Sequence, residues 1–219
     1  MINKNESFNR RKFVKTAAAL SAGVTGFTLF PGQSFAMPDG RSNIIGPKEG
    51  YSPQVGTLVS MMDWMRSVIL SPVQGLTVEQ LDYVHDDHAN SIGSMLLHLA
   101  ATERYYQLHT FNGMKWGSWD DSIKKQWDLP MQLGAEARAR IKGNSLDFYL
   151  DTLAGVRANT HKELKNRDDK WLMSVDEKWP WGPTNNYCKW FHVVEHESNH
   201  NGQIKFIKSR LPGMKGGGD

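Results

Sequence analysis

Three histidines spaced four apart are the residues best able to do chemistry in this chain. They are His192, His196 and His200, within Trp190-Phe-His-Val-Val-Glu-His-Glu-Ser-Asn-His-Asn-Gly-Gln203. On a helix that spacing stacks side chains along one face. At about 100° per residue, His196 falls about 40°, His200 about 80° and Gln203 about 20° from His192. Val193, Ile204, Ile207 and Leu211 share that half, whereas Asn201, Lys205 and Lys208 fall opposite, so the imidazoles are expected to face inward. A single buried histidine is ordinarily a core residue with one hydrogen bond. Several on one inward stripe need a common partner, because unpaired buried polar groups are costly. A divalent cation is the usual one, since neutral imidazole is its commonest nitrogen ligand.

His196-Glu-Ser-Asn-His200 also spells H-E-x-x-H, the zinc-protease motif in which the glutamate is the base. That motif needs a third ligand. The extended form would put Gly at 203 and His at 206, but Gln203 and Phe206 stand there. The other common third ligand is a downstream glutamate, and no Glu or His follows His200. A third ligand must therefore come from upstream, which disfavours a protease. His98 is the candidate, on an apolar-striped segment Ser91-Ile-Gly-Ser-Met-Leu-Leu-His-Leu-Ala-Ala-Thr-Glu103. Two imidazoles from one helix and one from another leave coordination positions open for water or substrate.

These residues need helices to position them. Ser52-Pro53 opens a helix running to about Leu70, with Val55, Leu58, Met62, Met65 and Ile69 at 3–4 spacing. Thr77-Val-Glu-Gln80 is a capping box for a short helix. Asn90 or Ser91 starts the second long helix, whose stripe is Ser91, Met95, His98, Thr102, Tyr105 and His109. Residues 111–144 read as a long connection with one or two short helices. Ser145 caps the third long helix, striped by Tyr149, Leu153, Val156, Thr160 and Leu164. Trp171 to Pro183 is a tryptophan- and proline-rich crossover, and the histidine helix runs from about Asn186 to Arg210. With no alternating strand and no repeat, the expected fold is all-α, a four-helix bundle with long connections.

Together Ser-Ile-Gly-x-Met-Leu-x-His-Leu-Ala-x-x-Glu and His-Glu-x-x-His-x-Gly-Gln-Ile resemble the DinB/YfiT-like superfamily over about residues 52–211. That resemblance implies a metal-binding four-helix bundle with a three-histidine site, and places the ligands at His98, His196 and His200. It also implies a spread of activities, including thiol-dependent S-transfer, isomerisation and hydrolysis, so fold alone does not fix the reaction. One divalent metal ion, Zn, Ni, Fe or Cu, is the expected cofactor.

The remaining candidates are ranked below these. Glu197 is a candidate general base or rim carboxylate, about 100° from His196 and about 60° from His200. His192, Gln203 and His88 are assigned to the pocket wall or to bracing the ligands. His85-Asp-Asp-His88 reads as a solvated turn, His161 as surface, and His109 as about 16 Å along its helix from His98. Trp179 or Trp181 could wall a substrate pocket. Cys188, the sole cysteine, precludes an internal disulfide and is expected to be packed and inert.

The 219 residues are 39% hydrophobic and 22% charged, enough for one domain with a sizeable core. The formal charge of +3 is carried by residues 1–36, whose Lys4, Arg10, Arg11, Lys12 and Lys15 face only Glu6. The remainder is close to neutral, which argues against a nucleic-acid partner. Asn9-Arg-Arg-Lys-Phe-Val-Lys15, the apolar run Thr16 to Phe30 and Ser34-Phe35-Ala36 resemble a twin-arginine export signal cleaved after Ala36. The resemblance implies a folded, exported protein of the periplasm or cell exterior, with no lipid or membrane anchor after cleavage. Residues 37–51 are expected to be a flexible leader and 212–219 a disordered tail. A small-molecule substrate or ligand is the expected partner, and a homodimer is the alternative to a single chain.

Three functions are compatible with this site: metal-assisted hydrolysis, thiol S-transfer, and metal or ligand binding without catalysis. Hydrolysis ranks first on the sequence, because small thiols are kept in the cytoplasm while the signal directs the chain out of it.

Overall fold

The computed structural model describes residues 43–213; the proposed export signal, the first part of the leader and most of the tail lie outside them. Eight helices in this range are α1 (Pro53–Leu70), α2 (Val78–Asp82), α3 (Ile92–Thr110), α4 (Asp121–Gln132), α5 (Gly134–Arg140), α6 (Leu146–Leu164), α7 (Asp169–Met173) and α8 (Asn186–Lys208). A 3-10 turn, Ser71–Val73, follows α1. The four long helices α1, α3, α6 and α8 form the bundle: α3 packs against α6 and α8, and α8 against α1. The described residues are all-α apart from one short ribbon. Strands β1 (Val175–Asp176) and β2 (Thr184–Asn185) pair antiparallel inside the tryptophan-rich crossover, too short for an alternating pattern to reveal.

Local chemistry explains the helix starts. Ser91 accepts from Ser94 N–H, Ser145 from Phe148 N–H and Asn185 from Cys188 N–H, each satisfying a first-turn donor without an intrahelical acceptor. Thr77 and Gln80 form the reciprocal capping box. At α1 the expected Ser52 occupies the cap position but its hydroxyl oxygen does not accept from the first turn. Asp169 of α7 does so instead: its Oδ1 takes the Gln54 and Val55 N–H groups at 3.0 and 3.1 Å, and the Ser52 hydroxyl at 2.6 Å. The crossover is thereby tied to the first turn of the bundle.

Residues 43–51 are not a loose leader. Gly46 N–H donates to Ser60 Oγ at 3.1 Å, Trp64 Nε1–H to Asn43 Oδ1 at 3.1 Å, and Lys48 pairs with Asp63. The segment lies along α1, where the Lys48 backbone would leave no room for a side chain at Gly56.

The central helix is α3, buried on nearly every face. Its Ile92, Met95, Leu96 and Leu99 join Tyr149, Leu150 and Leu153 of α6 and Ile204 and Ile207 of α8 in one apolar core. A second cluster holds Val55, Leu58, Val59 and Met62 of α1 against Trp190 and Val193 of α8. Gly93 is needed for this closeness, because a Cβ there would lie 2.6 Å from Tyr149 Oη. That contact brings α6 against the same helix that carries His98.

Candidate metal centre

Helices α3 and α8 bring three imidazoles together. His98 Nε2 lies 2.8 Å from His196 Nε2, and the ring centroids of His98, His196 and His200 are 4.6–5.0 Å apart. One nitrogen from each falls within 4.8 Å of the other two. Neighbouring groups orient two of the rings. The Pro130 carbonyl, 2.9 Å from His98 Nδ1, can only accept, so Nδ1 carries the proton and Nε2 keeps its lone pair. That carbonyl belongs to the last turn of α4, where helix carbonyls lack intrahelical donors. Gln203 Oε1 plays the same part for His200, 3.0 Å from its Nδ1.

The electrostatics keep these rings neutral. Burial, then the neighbouring His200, lowers the His98 pKa to about 4. Burial, then the His200, His98 and His192 rings, lowers that of His196 to about 3, and burial lowers that of His200. Three neutral imidazoles with converging nitrogens and no carboxylate among them fit a divalent ion of intermediate softness.

A pH dependence follows for the metal-free chain. Histidines whose folded pKa lies below the unfolded value of about 6.5 take up protons when the chain unfolds. Their contribution is therefore complete above about pH 6.5 and is lost as pH falls toward 4. Thermal midpoints of chelator-treated protein should drop between pH 7.5 and 4.5. An unchanged or rising midpoint would contradict the burial of these rings in the neutral form.

Glu197 requires a correction. It is buried, and its Oε1 is shared by Arg66 Nε and Nη2 at 2.9 and 2.5 Å and by Arg157 Nη2 at 2.8 Å. Both arginines also hold Glu103: Arg66 Nη2 at 2.8 Å from Oε2, and Arg157 Nε at 2.8 Å from Oε1. Burial would raise the Glu103 pKa, but Arg157 and Arg66 outweigh it and hold the carboxyl at about 2. Thr160 Oγ1 donates to Glu103, and the Leu153 and Met62 carbonyls accept from Arg66 and Arg157, while the buried Oε2 of Glu197 has no hydrogen-bond partner among the described residues. Each long helix thus contributes one charge to a four-residue network, and Glu197 serves there instead of as a proton acceptor.

The other histidines separate clearly. His192 stands beside His196, ring centroids 5.5 Å apart, half-buried against Tyr106 and Trp181 and paired with Glu195 at 3.2 Å. Gln203 is solvent-exposed beyond its bond to His200, and the stripe opens outward at that end. His88 is exposed in a turn, its backbone N–H held by Asp86 Oδ1. His109 belongs to a separate cluster with Asp176 and Lys189, and His161 pairs with Asp63 at 2.8 Å. Cys188 is exposed, not packed, because it faces outward from the first turn of α8. Sequence spacing gives no sign of Pro130, whereas Arg66 and Arg157, buried charges that interrupt apolar stripes, are the one local signal of the arginine–glutamate network.

The bundle and its three-imidazole cluster define a DinB/YfiT-like helical protein of the metal-dependent kind. Within that class, the family profile of mycothiol S-transferases matches residues 57–213, and the chain belongs to that family. The crystal structure of a conserved protein from Enterococcus faecalis superposes with a TM-score of 0.54, covering 72% of this chain and 96% of that one at 16% identity. That likeness concerns the fold alone. No curated protein matches the sequence.

Proposed function

We propose that this protein joins a small thiol to an electrophilic carbon in a metal-dependent S-transfer. The observation carrying this reading is the convergence of the His98, His196 and His200 ring nitrogens in a chain of the mycothiol S-transferase family. Those three residues would hold the ion, which when bound supplies a Lewis acid able to keep a thiol as its nucleophilic thiolate near neutral pH. The chain's own residues present neutral nitrogens, fix the ring orientations through Pro130 and Gln203, and limit water at the inner side by burying His98. In the reaction the thiol S–H bond breaks and its proton passes to solvent. Sulfur then forms a bond to carbon as the leaving group departs with its electron pair. Glu197 is committed to Arg66 and Arg157, so no carboxylate base is assigned.

Hydrolysis, favoured above by the export argument, has no specific finding behind it, and the family match favours thiol transfer. The test is a side-by-side assay of metal-loaded protein. Mycothiol and other small thiols are offered an alkyl halide, while ester, amide and phosphoester substrates are offered without thiol. Metal-dependent thioether formation is expected; hydrolysis without transfer would reverse the ranking.

Export through the twin-arginine route is part of the same proposal, and it requires the small thiol to be available outside the cytoplasm. Folding around an ion before transit suits that route, because metal binding contributes folding free energy. Replacing Arg10 and Arg11 together by lysine should retain the precursor in the cytoplasm, as judged by fractionation. Undiminished export would point to the general secretory route.

A further inference from the structure

Away from the imidazole cluster, helices α3, α4 and α6 line a second cavity, of about 360 Å³. Arg104 stands in its wall, about 9 Å along α3 from His98 and about a third of a turn round the helix. None of the three clustered imidazoles lines it. Its volume falls at the lower end of the range of about 300–1,000 Å³ over which proteins hold small molecules.

A buried chain of hydrogen bonds fixes one wall of this cavity. Gln107 is 1% exposed, and its Nε2 donates to the Val156 carbonyl at 2.7 Å and to Thr160 Oγ1 at 2.8 Å. A carbonyl only accepts, and the Thr160 proton goes to Glu103, so the Gln107 amide has one orientation. Its Oε1 therefore accepts from Arg104 Nη1 at 3.0 Å and from Asn159 Nδ2 at 2.9 Å. Among the described residues this is the one hydrogen bond of the Arg104 guanidinium. The carboxylates of Glu103 and Glu197 are already shared by Arg66 and Arg157. The rest of the Arg104 fork and the second Asn159 N–H remain as donors, and Ser122 and Gln126 of α4 can donate to the same guest.

We propose that this cavity binds a small monocarboxylate with a short apolar body, at a site separate from the metal centre and independent of the S-transfer reading. An ionised carboxylate only accepts hydrogen bonds, and its two oxygens match the paired N–H groups of a guanidinium. Arg104 is the one cation lining the cavity, which suits a single negative charge better than a phosphate dianion. The apolar body lies against Trp127 and Val156, 7% and 8% exposed, with Ile123 beside them. Gly155 of α6 makes room for it. Glycine weakens a helix relative to alanine, and at this position a Cβ would meet no atom within 4 Å.

The test titrates pentanoate, its neutral isostere pentanamide and inorganic phosphate into the full-length protein. Heat of binding is recorded, and the side-chain N–H resonances of Arg104 and Asn159 are followed by NMR. Pentanoate should bind saturably and shift both sets of resonances, and pentanamide should bind at least about tenfold more weakly, because it lacks the charge that strengthens these hydrogen bonds. Arg104→Met should weaken pentanoate by at least about tenfold, with Arg104→Lys recovering part of the loss. Gly155→Leu should exclude pentanoate while leaving Arg104 in place, and melting curves verify that each variant is folded. Were Arg104→Met to melt early, Gly155→Leu and pentanamide would still decide. His196→Ala should bind pentanoate as wild type does, since carboxylates can also coordinate a metal ion. No saturable pentanoate binding, equal binding of pentanamide, preference for phosphate, or indifference to Gly155→Leu would each overturn the site. Loss of binding in His196→Ala would place the carboxylate on the metal instead.

Discussion

His98→Ala, His196→Ala and His200→Ala each lower affinity for a divalent ion by more than about a hundredfold, because residues that merely brace ligands already carry about 10- to 100-fold. Wild-type protein should bind about one ion per chain. The effect is large because, among the described residues, no other side chain joins the three imidazoles. His192 is turned to Tyr106, Trp181 and Glu195, and Glu197 is held by two arginines. His161→Ala and His109→Ala, altering rings with other partners, should leave the metal in place. Gln203→Leu should weaken binding by about tenfold, since it removes only the acceptor that orients His200. Equilibrium titration with a competing chelator measures all six variants. Full affinity in any ligand variant would remove that residue from the centre.

Glu103→Ala destabilises the fold by about 3–5 kcal/mol, the cost of leaving buried charge without its partner. In the native chain Glu103 is 0% exposed and accepts from Arg66, Arg157 and Thr160, while the arginines also share Glu197. Removing it leaves two guanidinium groups with one carboxylate in a space closed to water. Replacing all four charges together by apolar side chains should cost less than Glu103→Ala alone, because the two arginines would no longer be stranded. Urea unfolding of the metal-free chain gives both values. A loss below about 1 kcal/mol for Glu103→Ala would mean that water reaches the network and screens it.

Much of this molecule is legible in the residues because the relevant signals are local. The starts of α3, α6 and α8 follow from local capping side chains, that of α1 from Ser52-Pro53, and the apolar faces of all four from 3–4 spacing. The three imidazoles could be grouped because two stack on one helix and the third interrupts an apolar stripe on another. What stayed hidden is what depends on contacts between distant segments. Pro130 lies 32 residues from His98, and Asp169 caps α1 across 114 residues to Val55; neither spacing has a period. Glu197 differs from its motif role because a motif names a residue type, whereas its partners are Arg66 and Arg157 from two other helices. A helical wheel gives a direction but not the partner waiting there.

The most direct test of the central claim is X-ray absorption at the metal edge of reconstituted protein, recorded before and after adding the small thiol. The account predicts a first shell containing three imidazole nitrogens, lost in part in His196→Ala, and one sulfur neighbour that appears only with the thiol. A shell without imidazole, or a spectrum unchanged by saturating thiol, would contradict it.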